Sequence, residues 1–194
     1  LRDVEELCRE HDIALIVDEV QTGIGRTGRF LTCQNYGIEP DIVTVAKGLG
    51  GGLPIGAFMC NDKFATVLGP GDHGSTFGGN PAACAGALEV VRRVKDQAFL
   101  RSVRDKGEYL RARIKDMNIP IVREVRGLGL MTGVEIDGDP REYVKKCCEM
   151  GLLILSAGSN VLRFLPPLTI TYDELDAGLK ILEAVLGGSQ RCEK

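Results

Sequence analysis

Two carboxylates, Asp18 and Glu19, stand side by side where the apolar run "IALIV" (13–17) gives way to the glycine-punctuated loop "QTGIGRTG" (21–28). Ionisable residues at the end of a hydrophobic strand are either a solvated terminus or one wall of a site. Adjacent strand residues point to opposite faces, so the two do not form an acid/base dyad: one faces the site and the other faces away. A second candidate is Lys47, directly after the apolar run "DIVTVA" (41–46) and before "GLGGGL" (48–53). A lysine among loop glycines is commonly a solvated turn. This one leaves a strand at its carboxyl end, where open α/β sheets seat their ligands, and burial there turns an amine into an imine-forming nucleophile.

The glycines after Lys47 fail the dinucleotide fingerprint, because Leu53 holds the third glycine's place and Pro54 follows instead of a helix. Their expected role is steric, letting a flat ligand or a neighbouring chain come close to bare backbone. "HGSTFGGNP" (73–81) sets the hydroxyls of Ser75 and Thr76 ahead of a helix start, a candidate anion seat with phosphate as the obvious occupant. Arg163 lies between apolar residues in "VLRFLPPL" (161–168), where a guanidinium needs a carboxylate partner from the protein or from a ligand.

The elements that must position these groups follow from periodicity. "LRDVEELCREH" spaces Leu1, Val4, Leu7 and Cys8 as a helix, and "IALIV", "DIVTVA" and "PIGAFM" (54–59) read as short buried strands of a sheet covered on both faces. Asn80 caps a helix with Pro81 in its first turn, and a further helix runs from about Phe99 to Met117. Beyond Pro120, "IVREVRGLGLMTGVEI" makes two strands, or one bent around Gly127 and Gly129. "PREYVKKCCEM" is a helix, and "LLILS" and "VLRFLPPL" are strands. Thr171 and Glu174 open the last helix in capping-box spacing, with Leu175, Leu179, Leu182 and Leu186 as its seam. The division expected is 1–97 for part of an α/β domain, 98–188 for a smaller α+β domain and 189–194 for a tail.

Composition narrows the class. Apolar residues at 44%, charged residues at 26% and a net charge of -3 fit a globular protein with no nucleic-acid-binding stripe. No apolar run approaches the roughly 18 residues of a membrane span, so a cytoplasmic protein is expected. Cys8, Cys33, Cys60, Cys84, Cys147, Cys148 and Cys192 contain no C-x-x-C pair, and with only His11 and His73 beside them a metal site is not expected. The chain opens on Leu1, which suggests a fragment.

In order along nearly the whole chain, "DEVQTGIGRTGRF", "PDIVTVAKGLGGGLPIGA", "GSTFGGNPAACAGALEV", "VRGLGLMTGVE" and "VLRFLPPLTIT" resemble the C-terminal half of the acetylornithine/ornithine group of class III aminotransferases. The resemblance implies the fold type I α/β architecture, with part of a large, mostly parallel-sheet domain followed by a small α+β domain. It also implies pyridoxal 5'-phosphate as cofactor, Asp18 on its pyridine nitrogen, Val20 against its ring, Gln21 near its phenolic oxygen and Lys47 as the imine-forming lysine. Thr76, together with Ser75, would reach the cofactor phosphate of a neighbouring subunit in a homodimer, and Arg163 would hold the substrate carboxylate. Glu19 would be structural. The implied reaction carries the terminal amino group of acetylornithine to 2-oxoglutarate in arginine biosynthesis. Ornithine, 4-aminobutyrate or succinyl-diaminopimelate are alternative donors, and an aminomutase of the same fold fits Gln21 and "RTG" (26–28) less well. The family's N-terminal half, with its phosphate cup and ring-stacking aromatic, has no counterpart here, so weak cofactor retention and little turnover are expected of this chain alone. The competing class is an inert assembly domain.

Overall fold

Short apolar runs separated by glycine, proline and acidic residues leave the chain little choice but short strands joined by turns, and the computed structural model, which describes residues 1–188, has that character. The expected tail 189–194, with Cys192, lies outside the described residues. The chain divides into two compact units, Leu1–Arg101 and Ser102–Lys194.

In the first unit, helix α1 (Arg2–Glu10) leads into strand β1 (Ile16–Asp18), followed by β2 (Ile42–Val45), β3 (Ala57–Cys60) and helix α2 (Pro81–Val94). The sheet order is β1-β2-β3. β1 and β2 run parallel, with Ile16 opposite Ile42 and Asp18 opposite Thr44. β3 returns antiparallel, with Val45 opposite Ala57, so one pairing of each kind makes up this small sheet. Asp41 ties the strands' entry ends: its carboxylate accepts the Leu15 N–H at 2.8 Å and the Asn61 amide at 2.7 Å.

The expectation of buried strands covered on both faces is corrected here. Ile13 and Ile16 are 56% and 59% exposed, every residue of β3 is exposed, and α1 buries none of its residues. The apolar character of these elements serves faces that the described residues leave open, since α2 packs on the turn at Lys47–Gly50. Asn80 caps α2 as expected, its side chain accepting the Ala83 N–H at 2.9 Å, with Pro81 in the first turn where a missing N–H costs nothing.

Helix α3 (Gln97–Asp116) leads into the second unit, which continues as β4 (Val122–Leu128), β5 (Met131–Ile136), α4 (Pro140–Glu149), β6 (Leu155–Ala157), β7 (Val161–Phe164) and α5 (Tyr172–Gly187). Of the two readings of "IVREVRGLGLMTGVEI", the structure takes two strands. β4 and β5 form a hairpin whose two-residue loop starts at Gly129 with φ +50, the left-handed position a tight hairpin gives to glycine. The sheet order is β4-β5-β7-β6, antiparallel throughout.

One face of this sheet carries Val125, Val134, Ile136, Leu162 and Phe164 into a core shared with Leu110 and Ile114, Tyr143 and Cys147, and the α5 seam of Leu175, Leu179, Leu182 and Leu186. Each of these large side chains contributes about 1.5–3 kcal/mol by leaving water. The other face is polar, Arg126 bridging Glu124 and Glu135. α5 starts in the expected capping box, Thr171 accepting the Glu174 N–H while Glu174 accepts the Thr171 N–H. That last contact holds the Glu174 carboxyl below the usual range.

Candidate active site

The parallel register of β1 and β2 puts their carboxyl ends side by side. Asp18 closes β1 opposite Thr44, and Lys47 emerges just past the end of β2. A carboxylate and an amine therefore leave adjacent strands at the same sheet edge, the place where open α/β sheets seat ligands.

The two neighbouring acids have opposite environments. Asp18 is exposed, and its Oδ1 accepts two hydrogen bonds, from the Val20 N–H at 2.9 Å and the Thr44 hydroxyl at 3.2 Å. Its Oδ2 makes none among the described residues. Glu19 is 1% exposed; Oε1 accepts the Cys33 N–H at 2.7 Å and Oε2 the Thr22 hydroxyl at 2.9 Å. Its own N–H bonds to the Thr44 carbonyl at 2.9 Å, and its carbonyl accepts the Gly23 N–H. Glu19 thus pins the loop that follows β1 to the segment around Cys33, and burial, with the Glu19 charge second, pushes the Cys33 thiol up. Thr27, also buried, shares a hydrogen bond with Thr32 at 2.9 Å beneath the same loop, and burial lowers the Arg26 guanidinium. Strand alternation separated the two acids correctly. Which of them is buried was decided by Thr22 and Cys33.

Lys47 heads a single 3-10 turn, Lys47–Gly50, with φ +44. A non-glycine residue in the left-handed region costs about 1–2 kcal/mol and persists only where its surroundings enforce it. Ile24, in the loop after β1, is also left-handed at φ +55, and a Cβ on Gly48 would meet it at 3.8 Å. The Lys47 side chain is exposed in this chain, so the burial expected around it is not supplied by the described residues. The glycines behind it have a definite neighbour: a Cβ on Gly51 would stand 2.9 Å from Val90 of α2, and one on Gly86 of α2 would stand 2.9 Å from Leu53 and 3.3 Å from the Gly50 carbonyl. Part of the close approach expected for this run is therefore made by a helix of the same chain.

Val20 is half-buried and Gln21 exposed in the turn after Asp18. Ser75 and Thr76 lie on an exposed segment leading to α2, where Ser75 lines an open groove with Ile55, Phe58, His73 and Phe77. The first turn of α2 has little to offer an anion, because Asn80 takes the Ala83 and Cys84 N–H groups and Pro81 has none. Arg163 belongs to the second unit. It stands in β7 opposite Gly133 and Leu155, half-buried, on the face away from the buried Leu162 and Phe164. Strand alternation thus turns its side chain away from those core residues, although its Nε is buried. Among the described residues no group of three or more His, Cys, Asp or Glu is placed to hold a metal, and no helix is long and apolar enough to cross a membrane.

The sequence reading passed over Thr44. Its signal was a hydroxyl inside an otherwise apolar run, and its meaning depended on the register between strands.

Chemically, an amine and a carboxylate leaving the carboxyl ends of adjacent strands can together condense with an aldehyde and hold a cationic ring N–H. Comparison with known proteins gives this arrangement a family context. The family model described as Aminotransferase class-III matches residues 1–186. The acetylornithine aminotransferase of Caldanaerobacter subterraneus is 50% identical over 96% of this chain and 48% of its own length. That of Methanothermobacter thermautotrophicus is 46% identical over 96% and 48%. Among solved structures, an ornithine aminotransferase from Toxoplasma gondii, described with partial occupancy of PLP at its active site, superposes with a TM-score of 0.90 at 38% identity, covering 96% of this chain and 46% of that one. An acetylornithine aminotransferase from Elizabethkingia anophelis gives 0.89 at 35%, covering 96% and 49%. The chain spans about half the length of the curated relatives it matches.

Proposed function

The chain belongs to the class III aminotransferases, a family dependent on pyridoxal phosphate, and from that premise we propose that it supplies the reactive lysine and the ring-nitrogen carboxylate of an acetylornithine:2-oxoglutarate aminotransferase. The observation that carries this reading is the placement of Asp18 at the carboxyl end of β1 and of Lys47 just past that of the adjacent parallel strand β2, Asp18 having Oδ2 uncommitted. The donor set fits the cofactor: an amine for its aldehyde, a carboxylate for its ring nitrogen and exposed hydroxyls for its phosphate.

When bound, pyridoxal phosphate supplies an electron sink for the charge left when a proton leaves the substrate's Cα. The chain's residues do the rest. Asp18 would hold a protonated ring nitrogen through Oδ2 and so favour the cationic ring. Lys47 would hold the cofactor's aldehyde through its amine and would otherwise serve as the base that holds the substrate's Cα proton. Val20 would pack on the ring and Gln21 would lie near its phenolic oxygen. Thr76, with Ser75, meets the phosphate bound in a neighbouring subunit, so the assembly is a homodimer with shared sites. Arg163 orients the substrate carboxylate with a planar, two-pronged pair. The donor is acetylornithine, the acceptor is 2-oxoglutarate, and the compartment is the cytoplasm. The names of the relatives support the choice of donor.

The open apolar faces of Ile13, Ile16, Phe58 and Met59 favour a second reading in which this chain alone assembles without turning over. One experiment separates the two. The purified chain is incubated with pyridoxal phosphate, reduced with borohydride and mapped by peptide mass: a pyridoxyl group on Lys47, absent in Lys47→Ala, is the expected result. A folded sample with no label at Lys47 supports the inert reading. An amino-donor panel scored by glutamate formation, run on the protein with its remaining half, then tests whether acetylornithine leads.

A further inference from the structure

Asp18 and Thr44 are register partners in a parallel pairing, and the Thr44 hydroxyl turns toward the Asp18 carboxylate rather than serving only as strand packing. The other β2 residue on that face, Ile42, is apolar, so a valine of the same volume would serve packing equally well. The hydroxyl does something else: it donates to the same Oδ1 that accepts the Val20 N–H. Two donors on one oxygen fix the plane of the carboxylate and leave Oδ2 as the one presented outward. The Thr44 hydroxyl is itself held in place. Its β-branched side chain has few χ1 options, and its carbonyl is engaged by the Glu19 N–H at 2.9 Å.

We infer that Thr44 is a positioning residue for Asp18: together with the Val20 N–H it clamps Oδ1, so that Oδ2 meets a protonated pyridine nitrogen without first losing rotational freedom. The inference rests on the reading of Asp18 and Lys47 given above. Orienting an acceptor in advance removes part of the ordering cost of binding. A 3.2 Å hydroxyl contact is at the long end for O–H···O, so its contribution is modest.

The test is the pyridoxal phosphate concentration that half-saturates borohydride trapping at Lys47, in wild type, Thr44→Val and Thr44→Ser, with urea midpoints measured on each. Thr44→Val raises the half-saturating concentration about fivefold. Thr44→Ser stays within about twofold of wild type, because the donor is kept and only a methyl is lost, and the urea midpoints coincide. In an Asp18→Asn background the valine substitution adds nothing further. Trapping in Thr44→Val equal to wild type overturns the inference. So does a serine variant as weak as the valine one, or a valine effect that persists in full in the Asp18→Asn background. Failure of wild type to label at Lys47 would instead overturn the reading of the site, and this assignment with it.

Discussion

Replacing Glu19 by alanine should cost more than almost any other single change in the first unit, and the structure says roughly how much. The 1% exposed carboxylate accepts the Cys33 N–H at 2.7 Å and the Thr22 hydroxyl at 2.9 Å. Without it a buried backbone N–H has no partner, at about 1–3 kcal/mol, and the Thr22 hydroxyl loses about 1 kcal/mol more. A void the size of the lost side chain adds to this, for a total of about 3–5 kcal/mol. Glu19→Gln keeps an acceptor for one donor and turns its own NH2 toward the other, so about 1–2 kcal/mol is expected. Hydrogen exchange at the Cys33 amide reads the local effect: each 1.4 kcal/mol is tenfold in opening, so the alanine variant exchanges at least about 100-fold faster. Urea unfolding of the first unit should follow the same order, alanine below glutamine below wild type. An alanine variant with wild-type exchange at Cys33 and an unshifted urea midpoint would refute the claim that this carboxylate anchors the loop behind Asp18.

Asp41 gives a pH prediction. The Leu15 N–H holds its carboxyl below the usual range, so its folded-state pKa lies under the unfolded value of about 3.9. Its stabilisation is therefore present above that value and is lost as pH falls through the folded one. Asp41→Asn should lower the urea midpoint at pH 7, with the gap to wild type closing below about pH 4; a gap constant with pH would contradict the assignment. Gly107→Ala should abolish the native second unit, because its Cβ would stand 1.8 Å from the Gly129 carbonyl and the hairpin would have to retreat by about 1.5 Å. The control is Gly187→Ala at the end of α5, with nothing within 4 Å of the added methyl, which should leave the thermal midpoint unchanged or slightly raised.

Features settled within one turn of chain were legible before any fold was known. The capping box of Thr171 and Glu174, the Asn80 cap with Pro81 behind it, the α5 seam and the place of Lys47 just beyond a strand all depend on residues a few positions apart. The family motifs were legible for a related reason: they are contiguous blocks, and they carried the likeness that the comparisons bear out.

Contacts across long sequence separations were not. Apolar runs identified strands, yet burial depends on what covers them, and Ile16 and Phe58 stay open because no described element packs there. Two adjacent acids announced opposite faces, but only Cys33, brought back from further along the chain, joined the local Thr22 in making Glu19 the buried one. The oxygen that Asp18 keeps free is likewise a product of register, since Thr44 lies 26 residues away and meets it only when β1 and β2 pair in parallel. The sequence by itself determined the chemical groups and the order in which they leave their strands; pairing and packing, which act between remote segments, decided which groups are held, which are covered and which oxygen stays free to bind.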